Sequence, residues 1–300
     1  MNILITGGTG FIGGALAQSL YQQGHNLTML SRKPDSVTKI CGAGVNAIGS
    51  IKDLSRDDSW QVIINLAGAP IFDSRWSAAR KQIIRDSRIQ LTGQLVAYMA
   101  DMAVKPELLI SGSAIGYYGS QGDVILTEQS ATIEDFSQQL CHDWENAALA
   151  AEQFGIRVCL MRTGLVIANG GGILQRMLPP FRLGLGGRLD DGKQWMSWIH
   201  RQDWIAIAQL MITDASMRGA YNATAPNPVT NSEFTQILAQ HLNRPALLPV
   251  PAWLLKIALG KMSELVLGSQ RVMPERLLAT GFTFQYPDLN SALNEALSND

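Results

Sequence analysis

The sequence of 300 residues contains little charge and little cysteine. Asp, Glu, Lys and Arg make up 16% of it, whereas an ordinary soluble domain has about 25%. The 24 basic and 25 acidic side chains nearly cancel, which argues against a nucleic-acid-binding protein with its basic surface. Since 46% of the residues are apolar, a disordered chain is excluded too. The three cysteines are far apart, so we expect reduced thiols, no metal site and a cytoplasmic protein.

The sequence also lacks the pattern of a membrane span or a signal peptide. No charged residue precedes Arg32, so the apolar start of the chain lacks the basic residues that begin a signal peptide. Glycines at positions 7, 8, 10, 13 and 14 also interrupt this apolar start. No later stretch reaches the roughly 18 consecutive apolar residues that a membrane helix needs. We therefore expect no membrane partner.

Short apolar runs alternate with segments of helical periodicity in the first half of the chain. Continuous apolar runs separated by helices of ten or more residues are typical of a parallel sheet that is buried on both faces. The pattern predicts an α/β protein with a Rossmann-type, doubly wound parallel sheet. The apolar runs are residues 2–6, 27–31, 62–66, 108–111 and 156–161, and the helical segments are 11–22, 77–103 and 143–153.

The composition changes after the last of these runs. Eight glycines and the pair Pro179-Pro180 fall within residues 164–192, and a glycine-rich segment of this length is more often a functional lid than a plain connection. We expect one domain over residues 1–165, whose sheet also receives later segments around 195–225. Residues 166–300 would form the glycine-rich lid and a smaller C-terminal substrate lobe.

A glycine motif joins the first predicted strand to the first predicted helix. In a dinucleotide-binding loop the first glycine permits a tight turn, the second lets the backbone approach a pyrophosphate, and the third lets the helix pack against the sheet. The helix N-terminus then offers free N–H groups and a positive dipole. A purely structural glycine turn is the alternative, but the order of strand, loop and helix favours nucleotide binding. The predicted contacts are Gly7, Thr9, Gly10, Phe11, Ile12 and Gly13.

The end of the second strand indicates which dinucleotide binds. An acidic residue there would hydrogen-bond the free adenosine ribose of NAD(H), but this chain has Ser31 and Arg32. A hydroxyl beside a guanidinium suits the 2′-phosphate of NADP(H), because arginine makes charge-assisted bonds to phosphate oxygens. A solvated basic turn is the alternative. We expect NADP(H), bound by the Rossmann-type domain of residues 1–165.

Several motifs are typical of one known superfamily or of one branch within it. They are residues 6–13 (TGGTGFIG), 65–70 (NLAGAP), 109–113 (LISGS), 144–145 (WE), 162–164 (RTG), 183–187 (LGLGG), 198–200 (WIH) and 268–272 (GSQRV). With them the chain resembles the extended short-chain dehydrogenase/reductases. Within that group it is similar, over its whole length, to the atypical "epimerase family protein" (YfcH-like) branch, which has a C-terminal domain of unassigned function.

The resemblance implies further contacts. Leu66, Ala67 and Gly68 would line the adenine and ribose side of the cofactor, with Ser111 and Val166 near the nicotinamide. Arg88 stands where relatives have an active-site asparagine, and it would contact a cofactor phosphate or an anionic substrate unless it is only a helix-surface arginine. The resemblance also implies a homodimer through the helices around 77–103 and 138–153.

The catalytic Tyr-x-x-x-Lys dyad of this superfamily is missing. Its place before Glu145 holds Ser137 and Cys141, and none of the six tyrosines is followed by a lysine four residues later. Ser113 stands at the expected catalytic serine position. Tyr117, or its neighbour Tyr118, could act as the acid/base group from the strand end. His200 is the other candidate, because its free pKa lies near neutrality, although it would more often be a packed structural histidine.

Two functions remain open on these residues. One is an NADP-dependent oxidoreductase or epimerase-like enzyme, and the other is a catalytically silent NADPH-binding sensor or partner-binding protein, which the missing dyad favours. Four cationic side chains around the glycine-rich segment lead us to expect a small-molecule substrate that is anionic or nucleotide-linked. A solvated protein surface explains these side chains equally well. They are Arg176, Arg182, Arg188 and Lys193.

Overall fold

A seven-stranded parallel sheet forms the centre of the protein, whose computed structural model describes residues 1–42 and 44–298. Four shorter strand pairings lie around this sheet or link its loops. The strands of the described residues are β1 (Asn2–Thr6), β2 (Asn26–Leu30), β3 (Asn46–Ile48), β4 (Val62–Asn65), β5 (Leu108–Ala114), β6 (Ile125–Leu126), β7 (Arg157–Thr163), β8 (Leu165–Ile167), β9 (Trp195–Met196), β10 (Trp198–His200), β11 (Gly219–Ala223), β12 (Val229–Thr230) and β13 (Arg271–Val272).

The order of the strands opens a crevice at the carboxyl edge of the sheet. The order is β11-β7-β5-β4-β1-β2-β3, and every neighbouring pair is parallel. The chain therefore winds outward from β1 in one direction through β2 and β3, and in the other through β4 and β5. In open α/β sheets, ligands bind where the winding reverses, outside the carboxyl ends of the strands. The predicted doubly wound Rossmann-type fold is confirmed.

Helices cover both faces of this sheet. One layer contains α1 and α7, and the other contains α4 and α5. The helices of the described residues are α1 (Phe11–Gln22), α2 (Val37–Cys41), α3 (Ala78–Asp86), α4 (Ile89–Asp101), α5 (Phe136–Leu149), α6 (Leu174–Arg182), α7 (Arg201–Thr213), α8 (Asn231–His241), α9 (Ala252–Leu259), α10 (Ser263–Leu267), α11 (Glu275–Ala279) and α12 (Leu289–Leu297).

Strand β1 shows why the apolar runs are continuous. Ile3 and Ile5 point into the layer of α1 and α7, while Leu4 points into the layer of α4 and α5. All three side chains are fully buried, and each contributes about 1.5–3 kcal/mol relative to an exposed position. Because alternate residues face opposite layers that are both apolar, the strand has no polar face.

The C-terminal part has a core of its own. Side chains of β10, α8 and α12 pack there, among them Trp198, Phe234 and Leu293. Strand β10 pairs with β8, and β9 pairs with β12, in separate two-stranded sheets. Of the later segments expected in the main sheet, only β11 enters it, beside β7.

The long helix predicted over 77–103 is two helices, α3 and α4. At the break, the Ser87 hydroxyl donates to the carbonyl oxygen of Ile84 at 3.0 Å and accepts the N–H of Ala69 at 2.9 Å. A serine that bonds to the preceding turn in this way competes with the regular helical hydrogen bonds. The interruption places Arg88 at the start of α4, buried beneath the loop after β4.

Two other helices differ from the predicted bounds. Helix α5 begins at Phe136, seven residues earlier than predicted, because the Asp135 carboxylate accepts the N–H of Gln138 and caps it. Helix α6 lies within the segment expected to be irregular, and it includes Pro179 and Pro180. Its buried Leu174 and Phe181 pack into the C-terminal core, and this packing overrides the local helix-breaking tendency. Within the described ranges no helix combines the length and apolar character needed to cross a membrane.

Candidate active site

The loop between β1 and α1 has the geometry of a phosphate cradle. Gly7 has a φ of +70°, and a Cβ atom there would lie 2.6 Å from the carbonyl carbon and oxygen of Leu66. A Cβ atom on Gly13 would lie 2.3 Å from the carbonyl oxygen of Gly7. The N–H of Gly10 closes the turn by donating to that oxygen at 3.0 Å. Since no side chain caps α1, its first N–H groups are available to an anion.

The glycine-rich segment packs directly on this loop. The ring of Phe11 occupies the space beside Gly171 and Gly172, where a Cβ atom would lie 2.3 and 3.0 Å from ring carbons. The guanidinium of Arg201 covers the same ring, with Cζ 4.5 Å from its centre. The predicted lid therefore meets the phosphate loop through Phe11. The other predicted contacts of the loop, Thr9 and Ile12, are half-buried.

The end of β2 presents a cation without a carboxylate. The N–H of Ser31 donates to the carbonyl oxygen of Ile48 at 3.0 Å, and the Ser31 hydroxyl accepts the N–H of Lys33. The side chain of Arg32 is exposed and forms no ion pair with any residue that the structure describes. Both groups remain accessible to a ligand beside the phosphate loop.

A chain of buried hydrogen bonds fixes the strand ends around the crevice. The Thr6 hydroxyl donates to Asn65 Oδ1 at 2.7 Å, and Asn65 Nδ2 donates to the Thr92 hydroxyl at 2.7 Å. Trp144 Nε1 donates to the same hydroxyl, and the N–H of Ala67 donates to the Thr6 hydroxyl. Satisfied networks of this kind are rigid. The loop of Leu66, Ala67 and Gly68 is thereby held against β1.

Ser111 lies in β5 of the main sheet, whereas Val166 lies in β8, which pairs with β10 in a separate sheet. Ser111 is level with Asn65 at the end of β4, and its hydroxyl donates to the carbonyl oxygen of Gly112 at 3.3 Å. It is fully buried, so its side chain is not exposed to the crevice in this structure. Val166 pairs with Ile199 between β8 and β10, and it retains 9% of its exposure.

A buried ion pair lies at the end of β5, where the catalytic serine was predicted. The Ser113 hydroxyl donates to Glu145 Oε1 at 2.6 Å. Arg162 Nε and Nη2 donate to the two oxygens of the same carboxylate at 2.8 Å each, and both side chains are about 5% exposed. Burial alone would lower the pKa of Arg162, but the bonds and charge of Glu145 outweigh it and raise that pKa. The Ser113 proton is therefore committed to a carboxylate.

The two adjacent tyrosines have different surroundings. The Tyr118 hydroxyl accepts from Arg162 Nη1 at 3.0 Å and donates to Asn222 Oδ1 at 2.6 Å, and burial raises its pKa to about 12. The Arg162 guanidinium lies 3.4 Å from the centre of the Tyr117 ring. The Tyr117 hydroxyl has no hydrogen-bond partner among the described residues, and the side chain is half-buried. Of the pair, only Tyr117 keeps a hydroxyl that is free for a ligand.

The two positions of the missing dyad face this strand end. The Cβ of Ser137 lies 3.1 Å, and the sulfur of Cys141 3.7 Å, from the point where a Cβ atom on Gly116 would be. Burial raises the pKa of the Cys141 thiol to about 12, and the charge of Glu145 adds to the effect. The thiol is therefore neutral at ordinary pH. Neither side chain can supply the cation that a lysine would supply.

His200 is engaged at both ring nitrogens. Its Nε2 lies 2.8 Å from Glu295 Oε2, and its Nδ1 accepts the N–H of Gln202 at 3.3 Å, which caps α7. These two bonds require the neutral tautomer with hydrogen on Nε2. Burial lowers the pKa of His200 despite the opposing effect of Glu295. The geometry favours a structural role, in which His200 ties α7 to α12.

We expect the free energy of unfolding to fall as pH drops from 7 to 5. The unfolded histidine takes up a proton near its ordinary pKa of about 6.5, whereas folded His200 resists it, so protons favour unfolding. Asp203 acts in the opposite direction, because burial raises its pKa. Urea unfolding at several pH values should therefore show a weaker decline for His200→Gln. An equal decline in both proteins would contradict this assignment.

Two of the cations expected to attract an anionic substrate have carboxylate partners. Arg176 Nη2 lies 3.1 Å from Asp73 Oδ1, and Lys193 Nζ lies 3.9 Å from Asp191 Oδ2. These pairs are exposed, and they neutralise the cations locally. Arg176 therefore serves to connect α6 with the loop before α3, and it gives little support for an anionic substrate.

Sequence reasoning did not single out the Glu145–Arg162 pair or the Thr6–Asn65–Thr92 chain as parts of the site. Polar residues at the ends of otherwise apolar strands are the signal that could have found them. Asn65 and Thr6 each close such a run. Arg162 directly follows the apolar residues 158–161 of β7.

Comparisons with known proteins agree with this geometry. Residues 3–223 match the NAD dependent epimerase/dehydratase family, and residues 250–296 match a domain of unknown function (DUF1731). The epimerase family protein YfhF of Bacillus subtilis is 37% identical over 305 residues, which cover 100% of this chain and 99% of that protein.

Two solved structures show the likeness in three dimensions. The human epimerase family protein SDR39U1 (isoform 2), crystallised with NADPH, has a TM-score of 0.90 and 33% identity, with 100% of both chains covered. The nucleoside-diphosphate sugar epimerase of Corynebacterium glutamicum has a TM-score of 0.78 and 33% identity, over 100% of this chain and 59% of that one. The chain therefore belongs to the NAD dependent epimerase/dehydratase family, in its branch of epimerase family proteins.

Proposed function

We propose that the protein binds NADP(H) at the carboxyl ends of β1 and β4 and acts as an oxidoreductase or epimerase-like enzyme. The observation that carries this proposal is the loop after β1, where backbone fills the space that a Cβ atom on Gly7 or Gly13 would take. When bound, the nicotinamide would supply a hydride acceptor or donor. The proposed cofactor contacts are Gly7, Thr9, Gly10, Phe11, Ile12, Gly13, Ser31, Arg32, Leu66, Ala67, Gly68, Arg88, Ser111 and Val166.

The end of β2 supports NADP(H) over NAD(H). The crystallised human relative contains NADPH. In this chain Ser31 and the exposed Arg32 directly follow β2, where an NAD(H)-binding protein would have an acidic residue. We expect Arg32→Ala to raise the NADPH dissociation constant by about 10-fold to 100-fold, since a charge-assisted hydrogen bond contributes about 1.5–3 kcal/mol. NADH affinity should stay unchanged.

Fluorescence titration with both nucleotides measures this effect. Lys33→Ala is the matched control, because Lys33 is an exposed cation one residue further on and should affect NADPH binding less. Equal affinities of the unaltered protein for NADPH and NADH would contradict the assignment of NADP(H) as the cofactor.

Ser113 and Tyr117 are the groups proposed to meet the substrate. The Ser113 hydroxyl donates its hydrogen to Glu145, so its oxygen can still accept a hydrogen bond from a substrate hydroxyl. The Tyr117 hydroxyl can donate or accept, because no described residue occupies it. Arg162 positions both groups through its bonds to Glu145 and its contact with the Tyr117 ring. His200 is left to its structural role.

A nucleotide-linked substrate fits this arrangement. The nucleoside-diphosphate sugar epimerase from Corynebacterium glutamicum shares the fold over this whole chain. We propose that residues 1–165 bind most of the cofactor and carry Ser113 and Tyr117, and that the lid and lobe of residues 166–300, apart from Val166, complete the substrate site. A cytoplasmic homodimer through α3, α4 and α5 completes the proposal. The three buried free cysteines suit a reducing compartment.

A second function is a catalytically silent NADPH sensor, and Ser137 and Cys141 at the dyad positions favour it. Single-turnover absorbance at the nicotinamide band separates the two functions. The enzyme predicts a loss of NADPH absorbance with at least one aldehyde or ketone of a panel, or a gain of that absorbance when a nucleotide-sugar hydroxyl is oxidised in the presence of NADP⁺. Tight NADPH binding without any turnover would favour the sensor.

A further inference from the structure

Arg88 is a buried cation without a counter-ion. Its side chain is 9% exposed, and no carboxylate of the described residues lies within 4 Å of it. Burial lowers its pKa to about 10, so the guanidinium remains charged at neutral pH. Buried charges in proteins are almost always paired, because an unpaired charge loses its hydration without compensation. The missing partner is therefore expected to come from a ligand.

Only one edge of this guanidinium is used by the protein. Nη1 donates to the carbonyl oxygens of Ala69 and Ile84 at 3.1 and 3.2 Å, and it lies 3.4 Å from the Ser87 hydroxyl. Nε and Nη2 have no partner among the described residues, and they are not sealed from solvent. This Nε–Nη2 edge is the one with which Arg162 holds both oxygens of Glu145. It fits two oxygens of a phosphate or carboxylate.

The absence of a side chain at Gly68 makes room for this guanidinium. A Cβ atom on Gly68 would lie over its face, 2.7 Å from Arg88 Cζ, 2.8 Å from Nη2 and 3.1 Å from Nε. Gly68 itself is exposed on the loop after β4, and that loop touches the phosphate cradle because Leu66 packs against Gly7. The guanidinium therefore lies against the loop that borders the crevice, with its Nε–Nη2 edge free.

Arg88 also lies next to the position that the missing lysine would occupy. Its guanidinium is 5.3 Å from the Trp144 ring centre, and its charge, like that of Arg162, lowers the pKa of the Cys141 thiol against the larger effect of burial. Cys141 is where Tyr-x-x-x-Lys spacing would place the lysine. The cation thus reaches the same corner of the site from α4 instead of α5.

We propose that the Nε–Nη2 edge of Arg88 is an oxyanion-binding subsite of the dinucleotide crevice, and that it supplies the positive charge absent at position 141. The inference rests on the proposed NADP(H) binding. Its ligand is a phosphate or carboxylate group that belongs either to the cofactor or to the substrate. Gly68 is required because a Cβ atom there would collide with the guanidinium and displace it.

The test compares Arg88→Met with Arg85→Met. Arg85 is an arginine three residues earlier whose partner is Asp143 at 2.6 Å, so it controls for the loss of a cation from the same segment. NADPH affinity is measured by fluorescence titration, and the thermal shift of the NADPH complex is measured on addition of inorganic phosphate. Gly68→Ala, which leaves Arg88 in place, provides a second variant. Circular dichroism checks that each variant is folded.

A cofactor oxyanion predicts at least about 10-fold weaker NADPH binding in Arg88→Met and Gly68→Ala, with Arg85→Met unchanged. A substrate oxyanion predicts unchanged NADPH binding, but a phosphate-induced thermal shift that Arg88→Met loses. If folded Arg88→Met matches the unaltered protein in both measurements, the subsite does not exist. If the unaltered protein binds no NADPH, the proposed function itself fails.

The charge substitution has its own test. Cys141→Lys in the Arg88→Met background should restore at least part of whichever binding signal was lost, because it returns a cation to the same corner from α5. A folded double variant that restores nothing would refute the claim that Arg88 takes the place of the lysine. Arg88→Lys should fall between the unaltered protein and Arg88→Met, since lysine keeps the charge but loses the two-pronged edge.

Discussion

Gly7→Ala is expected to abolish NADPH binding and to lower the free energy of unfolding by about 2–4 kcal/mol. Gly7 has a φ of +70°, and an alanine Cβ would lie 2.6 Å from the carbonyl group of Leu66. Relief of this contact must move the loop after β4 or the turn before α1, and both line the crevice. Urea unfolding and fluorescence titration with NADPH measure the two effects.

Gly24→Ala separates backbone strain from the collision. Gly24 also has a positive φ, +82°, but nothing lies within 4 Å of its Cβ position. The left-handed conformation alone should cost about 1–2 kcal/mol, with NADPH binding unaffected. If Gly7→Ala behaves like Gly24→Ala, the close packing of the loop against Leu66 plays no part in cofactor binding.

Arg162→Met is the second large effect, and we expect it to lower the free energy of unfolding by about 3–5 kcal/mol. The substitution leaves the Glu145 carboxylate buried without its cation, and it removes the donor to the Tyr118 hydroxyl. It also removes the group that positions the Tyr117 ring. Denaturant unfolding measures the loss, and the double variant Arg162→Met/Glu145→Leu should recover much of it, because no buried charge remains.

Arg85→Met is the matched control for this ion pair. Its pair with Asp143 is short, 2.6 Å, but the two side chains are 32% and 39% exposed. Solvent screens such pairs, so the loss should be about 0–1 kcal/mol. Similar losses in Arg85→Met and Arg162→Met would contradict the special role assigned to the buried pair.

Much of the fold could be predicted because it depends on local patterns. The strands of the main sheet are buried on both faces, so they appear in the sequence as continuous apolar runs, as Ile3 to Ile5 show. The phosphate loop can be recognised from the sequence because its glycines directly follow a buried strand and directly precede a helix. The interruption at Ser87 cannot, since it depends on a bond from the loop after β4, where Ala69 donates to the Ser87 hydroxyl.

The inner site depends on pairings between strands and helices. Ser113 and Arg162 are register partners in β5 and β7, and Glu145 reaches both from α5. Neither the register nor the rotation of α5 can be read from spacing alone. The same holds for Tyr118, whose partner Asn222 is 104 residues away in β11. The difference between Tyr117 and its neighbour therefore became visible only in the folded chain.

A crystal structure with NADP⁺ tests the central claim most directly. The account predicts the diphosphate at the first turn of α1, above Gly7 and Gly13, and the 2′-phosphate within hydrogen-bond distance of Ser31 and Arg32. The nicotinamide should face Ser113 and Tyr117. A cofactor bound elsewhere, or a 2′-phosphate without contact to Ser31 or Arg32, would contradict it.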